Sequence, residues 1–123
     1  MEYIKADKYL QSKGINLSIE LQDNDNKSAK VERFIKEVTD WCYKYLIQRY
    51  MPIDLIDYDN LSKKRKELFQ EGVMEQMEYI LNNGWLNKDS GVQSQLGTII
   101  DYSKIVLSPN AQTNFFLAGF CNI

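Results

Sequence analysis

The sequence predicts a mainly α fold: an antiparallel pair of long helices with a short N-terminal helix, an extended β-like arm and a short C-terminal helix. Three observations predict it. Apolar residues recur every three or four positions in two long stretches, a short polar segment separates those stretches, and a Ser-Pro pair near the end is typical of a helix start. A chain of 123 residues suits one domain, with a body over 1–90, an arm over 91–107 and a C-terminal helix and tail over 108–123.

The composition narrows the classes of function. Hydrophobic residues make up 44% and charged residues 26% of the chain, a balance typical of a folded globular protein. The net charge of −2 argues against a general binder of duplex DNA, which needs a basic face to displace counterions. Histidine is absent, and no Ser-x-x-Lys or Gly-x-Ser-x-Gly motif occurs. We therefore expect no enzyme activity, no cofactor and no metal site.

The sequence also predicts a compartment. The opening MEYIKADK has charges where a secretion signal would be apolar, and polar residues interrupt the uncharged C-terminal stretch, so it cannot span a bilayer. We expect no membrane association and a reducing cytosol in which Cys42 and Cys121 are free thiols. Cys42 is interpreted as a small buried hydrophobe and Cys121 as apolar filling at a contact.

Two short elements are predicted near the N-terminus. Asp7 can cap a short helix that Gly14 ends in the left-handed conformation. In the following INLSIEL, the alternation of apolar and polar residues predicts an extended segment with one buried face. Its apolar members are Ile15, Leu17, Ile19 and Leu21.

The first long helix is predicted from Lys27 to Tyr50, where Pro52 must stop it. Its apolar stripe consists of Val31, Phe34, Ile35, Val38, Trp41, Cys42, Tyr45 and Leu46. The second is predicted from Leu61 to Asn82, with Gly84 as its stop. Its stripe consists of Leu68, Phe69, Val73, Met77, Ile80 and Leu81. A short connection between two such helices makes them antiparallel neighbours.

Two residues interrupt the second helix. Gly72 costs about 1 kcal/mol relative to Ala in a helix, which indicates a close approach by another helix on that side. Gln76 lies one turn later on nearly the same face. It indicates a contact with another subunit or a wet contact, or else misplaced polarity in the core.

The one basic cluster is KKRK, residues 63–66. Asp54, Asp57 and Asp59 lie just upstream and offset its charge, so one interpretation is a solvated, self-neutralised turn. The other is that Lys63, Lys64, Arg65 and Lys66 contact DNA phosphate or an acidic partner.

The end of the chain is apolar. After Lys104 come nineteen residues without a charge, and the β-branched run from Thr98 to Val106 predicts an extended arm. Ser108 and Pro109 predict the start of a helix over about Asn110 to Ala118, ended by Gly119. The phenylalanines that follow either complete the core of the hairpin or are buried in another chain. We expect a mixture, in which the helix packs partly on its own chain while residues 119–123 dock elsewhere.

Three stretches resemble one family. ELFQEGVMEQMEYILNNG is similar to a helix of bacteriophage head–tail connector proteins, also called adaptor or head-completion proteins, which carry a Glu-Gln-x-Glu-Tyr-Leu-like run there. The matching residues are Glu75, Gln76, Glu78, Tyr79 and Ile80. LGTIIDYSKIVLSP and NAQTNFFLAG resemble the family's Gly-x-x-x-Asp-Tyr-Ser segment and its Leu-Ser-Pro capped helix ending in Ala-Gly. YIKADKYLQSKG resembles the family's opening helix, and the order agrees over nearly the whole chain.

The resemblance implies a non-enzymatic structural protein of the virion, located at the capsid–tail junction and assembled in the bacterial cytoplasm. It implies a homo-oligomeric ring, usually a dodecamer, beneath the portal protein. Genomic DNA would pass through the ring without sequence-specific binding, and the far face would receive a stopper or tail component. The alternative hypothesis is a small helical nucleic-acid-binding or regulatory protein that uses Lys63–Lys66.

The resemblance also implies site residues. Asp101, Tyr102 and Ser103 belong to the arm between subunits. The portal or intersubunit contacts of the C-terminal helix and tail are Phe115, Phe116, Phe120, Cys121 and Ile123.

Overall fold

The computed structural model describes residues 6–21, 29–87 and 99–121. Within these ranges the chain is mainly helical and contains no β-strand, which confirms the prediction of a mainly α fold. The α-helices are α1 (Ala6–Ser12), α2 (Leu17–Glu20), α3 (Ala29–Tyr50), α4 (Ile53–Ile56), α5 (Lys63–Asn82) and α6 (Pro109–Leu117), and a 3-10 turn covers Tyr58–Asn60. None of the helices in these ranges combines the length and apolar character needed to cross a membrane.

The first helix ends as predicted, with Gly14 in the left-handed region at a φ of +77°. The prediction of an extended segment after it was wrong, because Asn16 starts the helical turn α2. The Asn16 side-chain oxygen accepts hydrogen bonds from the backbone N–H groups of Ser18 (3.1 Å) and Ile19 (3.4 Å). Leu17 and Leu21 are both buried, since residues four positions apart share one face of a helix.

The long helix α3 buries the predicted stripe. Its buried members are Val31, Phe34, Ile35, Val38, Cys42 and Leu46. Trp41 and Tyr45 lie at the edge of the stripe and stack on each other, with ring centroids 5.2 Å apart. The helix ends at Tyr50, and Met51 takes a φ of +49° before Pro52. A non-glycine residue in that region is strained by roughly 1–2 kcal/mol. The predicted start at Lys27 lies outside the described residues.

The long helix α5 begins two residues later than predicted because Ser62 caps it. The Ser62 hydroxyl accepts from the backbone N–H of Arg65 at 3.3 Å. The helix ends at Asn82, followed by Gly84 with a φ of +68°. Its most extensive contact is with α6 rather than with α3. The C-terminal helix, and not the first long helix, is therefore the main partner of α5.

The described part of the arm, residues 99–107, lies against the body. Ile100 is buried and forms an isolated antiparallel bridge with Leu86. The backbone N–H of Asp101 donates to the Trp85 carbonyl oxygen at 2.9 Å, and that of Asn87 donates to the Ile99 carbonyl oxygen at 2.6 Å. These contacts attach the arm just after the end of α5. Residues 91–98 of the predicted arm lie outside the described residues.

Candidate interaction site at the arm and the C-terminal helix

The last helix, α6, has a well-formed start and end. The Ser108 hydroxyl accepts from the backbone N–H of Ala111 at 3.3 Å, and Pro109 occupies the first helical position, as predicted. At the other end Gly119 has a φ of +85°. The backbone N–H of Phe120 donates to the Phe115 carbonyl oxygen at 2.9 Å. This is a Schellman ending, which reverses the chain and brings the residue after the glycine back against the last turn.

The reversal places the tail in the core. The rings of Phe115 and Phe120 both lie beside Phe69 of α5, with centroids 5.7 Å and 6.1 Å from the Phe69 ring. All three side chains are buried. Aromatic rings at these separations attract each other beyond the effect of area burial alone. The site is therefore a closed aromatic cluster between α5 and α6.

Gly72 makes this packing possible. A Cβ atom added at Gly72 would lie 2.4 Å from Cε1 of Phe115, far inside contact distance. The close approach predicted at this glycine is confirmed, and the approaching element is α6.

These observations correct the prediction that residues 119–123 dock elsewhere. Phe120 and Cys121 are buried within the chain, as is Phe115, so in this conformation none of the three offers a surface to a partner. Ile123 lies outside the described residues. Phe116 and Leu117 differ from them, because they point outward and are 46% and 62% exposed.

Gln76 joins the arm to α5. Its amide nitrogen donates to the Val106 carbonyl oxygen at 2.9 Å, and its amide oxygen accepts from the backbone N–H of Ser108 at 2.7 Å. The two backbone partners fix the orientation of the amide, since one can only accept and the other can only donate. The side chain is fully buried. It is neither wet nor misplaced, because it satisfies the backbone on both sides of Leu107.

Glu75 of α5 forms hydrogen bonds to the first helix, α1, and to the last helix, α6. One carboxylate oxygen accepts from the Tyr9 hydroxyl at 2.5 Å, and the other accepts from the Asn110 side-chain amide at 3.4 Å. Burial and the hydrogen bond to Glu75 raise the pKa of Tyr9 above its ordinary value. The phenol therefore stays protonated and remains a donor at neutral pH.

A second carboxylate, Glu37 of α3, holds the start of the described arm. It accepts from the backbone N–H of Ile99 at 3.1 Å and from the Tyr102 hydroxyl at 3.5 Å. Burial, followed by the nearby charge of Glu37, raises the pKa of Tyr102 to about 12. The Tyr102 ring nevertheless remains partly exposed.

Asp101 and Ser103, the other two residues of the Asp-Tyr-Ser segment, form hydrogen bonds with each other within one turn. Asp101 accepts from the Ser103 hydroxyl at 2.6 Å and from the Ser103 backbone N–H at 3.2 Å. The hydroxyl hydrogen bond is the main reason that the pKa of Asp101 lies below its usual value. These contacts shape the turn and leave Tyr102 as its projecting side chain.

The basic cluster divides into two parts. Lys63 and Lys64 are exposed. Arg65 instead donates from Nε to the Ala118 carbonyl oxygen at 2.9 Å, forms an ion pair with Asp54 at 3.2 Å, and lies 5.0 Å from the Phe120 ring centre. It thus binds the C-terminal end of α6, where carbonyl groups lack partners within the helix.

Lys66 is also occupied, because its ammonium group lies 5.7 Å from the centre of the Tyr58 ring. The sequence did not predict these roles for Arg65 and Lys66. The only local signal was the Gly-ended helix at residue 119, whose free carbonyl groups needed a donor.

The described residues hold no group of three or more His, Cys, Asp or Glu side chains placed to bind a metal ion. Both cysteines are free and buried, and burial raises the pKa of each thiol. A buried thiol with a raised pKa is a poor nucleophile.

Comparison of the chain with protein-family models, with curated proteins and with solved structures finds no match.

Replacing Gly72 with Ala is expected to lower stability by about 1–2 kcal/mol, because the overpacked methyl group displaces the Phe115 ring. The same change at an unobstructed helical glycine would stabilise by about 1 kcal/mol. Urea unfolding followed by circular dichroism measures the difference. In a Phe115→Leu background the change should become less harmful or reverse in sign. An equal loss in both backgrounds would contradict the contact.

Proposed function

We propose that the protein is a structural head–tail connector subunit of a tailed bacteriophage. It forms a ring beneath the portal, surrounds the channel through which DNA passes, and links the capsid vertex to the tail. The protein acts by assembly and not by catalysis.

The contacts made by two neighbouring residues of α5 support the proposal. The three stretches that carry the resemblance are distant in sequence but meet at two neighbouring residues of α5. Gln76 holds the end of the arm and the first residue before α6. Glu75 holds Tyr9 of the opening helix and Asn110 of α6. The resemblance therefore covers residues that depend on one another physically.

The assignment of partner contacts follows exposure. In the described part of the arm and in α6, the large apolar side chains that remain exposed are Tyr102, Val106, Phe116 and Leu117. Exposed apolar residues on adjacent segments mark interaction surfaces. We assign contact with the portal or with the neighbouring subunit to these four residues. That surface is stabilised by the buried residues beneath it, which are Phe115, Phe120 and Cys121.

The alternative, a nucleic-acid-binding or regulatory protein that uses Lys63–Lys66, is less well supported. Arg65 binds Asp54 and the Ala118 carbonyl group at the end of α6, and the Lys66 ammonium group lies over the Tyr58 ring. Two exposed lysines make a weak phosphate-binding surface in a chain of net charge −2.

The test uses a host strain whose phage or prophage carries this gene. Without the gene, electron microscopy is expected to find heads and tails that accumulate unjoined. Supplying the wild-type chain should restore joined particles, whereas Phe116→Asp with Leu117→Asp should not. Ile19→Asp is the matched control, because Ile19 is exposed on α2, away from the assigned contacts. A normal yield of joined particles without the gene would overturn the proposal.

A deletion of residues 108–123 is a poorer test. It removes Phe115 and Phe120 from the core together with the surface residues, so loss of assembly would not separate docking from folding.

A further inference from the structure

The turn after α3 carries a strained and exposed methionine. Met51 has a left-handed backbone with a φ of +49°. Glycine would adopt this conformation without strain, yet the methionine side chain is 74% exposed and gains little packing within the chain. Strained backbone of this kind clusters at functional positions. The side chain is therefore a candidate for a contact outside the chain.

Two isoleucines extend this apolar surface. Ile53 and Ile56 lie on the same side of α4 and are 82% and 62% exposed, whereas Leu55 between them is buried. An open groove of about 330 Å³ lies beside Ile53, between residues 50–54 and the tail residues 119–121. The same surface thus has projecting apolar side chains next to an open groove.

Charges of both signs border this end of the hairpin. Asp59, Lys63 and Lys64 are exposed, and none of them forms an ion pair with a described residue. The Asp54–Arg65 ion pair joins α4 to the first turn of α5. Neighbouring charges of opposite sign are complementary to a second copy of the same surface that is related by a two-fold rotation.

We call this region the hairpin-end surface. Its members are Met51, Ile53, Ile56, Asp59, Lys63 and Lys64. We propose that the hairpin-end surface binds a second copy of the chain in an isologous dimer. The exposed apolar side chains of the two copies pack against each other, and Asp59 of each copy faces the two lysines of the other. The pairing concerns the free protein and uses none of the residues assigned to portal contact, so it does not depend on the proposed function.

Sedimentation equilibrium of the purified full chain tests the pairing. At concentrations up to about 1 mM even an association with a millimolar Kd is half complete. We expect a reversible monomer–dimer equilibrium, in which Ile53→Asp raises the dimer Kd at least about tenfold. Ile19→Asp, a change at another exposed isoleucine outside the surface, should leave the Kd unchanged. A monomeric wild-type chain at 1 mM, or equal effects of the two variants, would overturn the proposal.

A charge exchange tests the two-fold arrangement. Asp59→Lys makes the charged border more positive, and Lys63→Glu with Lys64→Glu makes it more negative. Each variant alone should dimerise less than the wild type, and a mixture of the two should form heterodimers more tightly than either variant forms homodimers. This preference should weaken at high salt. A mixture that associates no better than its components would overturn the reciprocal contact.

Met51→Gly separates binding from folding. Because it relieves the left-handed strain, the unfolding temperature should stay the same or rise, while the dimer Kd rises severalfold. A variant that is more stable and dimerises as well as the wild type would remove Met51 from the surface.

Discussion

Phe115→Ala is expected to destabilise the protein by about 3–5 kcal/mol, the cost of removing a fully buried phenylalanine from a packed core. Phe115 is completely buried, and its ring packs against Gly72 and the Phe69 ring. The α5–α6 contact is the most extensive between elements, so the loss falls on the centre of the fold. Native domains have only about 5–15 kcal/mol of stability in total, and the variant should unfold at a much lower temperature.

The adjacent phenylalanine provides the matched control. Phe116 lies on the same helix and has the same side chain, but it is 46% exposed. Phe116→Ala should change the free energy of unfolding by less than about 1 kcal/mol. Thermal and urea unfolding of both variants measure the contrast. Similar losses for the two would mean that α6 is not docked as described, and a small loss at Phe115 would mean that the tail leaves the body.

The long helices could be predicted from the sequence because their signals are local. The apolar stripe of α3, the proline after it, and the Ser-Pro start of α6 each act within a few residues. The prediction of α2 failed for a physical reason. Leu17 and Leu21 satisfy both a two-residue and a four-residue period, and the cap at Asn16 decides in favour of the helix.

The position of the tail could not be predicted, because it depends on contacts between residues that are far apart in the sequence. The sequence predicts a helix end at Gly119, but the Schellman geometry there also returns Phe120 towards Phe115. Gly72 indicated a close approach, yet nothing near it in sequence identifies Phe115 as the approaching ring. Arg65 was interpreted as part of a basic cluster, although its main partner, the Ala118 carbonyl, lies 53 positions away. Contacts between distant segments decide these roles.

Gln76→Leu is expected to destabilise the protein although it nearly keeps the volume of the buried side chain. Leucine fills the same space, but the backbone N–H of Ser108 loses its acceptor in a buried position. An unpaired buried donor costs about 1–3 kcal/mol, and the Val106 carbonyl also loses its partner. The arm and the start of α6 should therefore loosen together. Hydrogen exchange should report faster exchange at Ser108 and Ala111, and unchanged rates there would contradict the role of Gln76.

Gln76→Glu sharpens the same prediction through pH. A carboxylate can accept from Ser108 but cannot donate to the Val106 carbonyl, so burial and the facing oxygen should raise the pKa of the introduced Glu above its unfolded value of about 4.3. A raised folded-state pKa means that the protonated form supports folding. The variant should therefore be closest to wild-type stability at acid pH and lose stability relative to the wild type as the pH rises through the raised pKa. Urea unfolding of both proteins from about pH 4 to pH 8 measures the difference. A difference that does not vary with pH would mean that the pKa of the introduced Glu is unshifted, and it would contradict both the burial of residue 76 and its contact with the Val106 carbonyl.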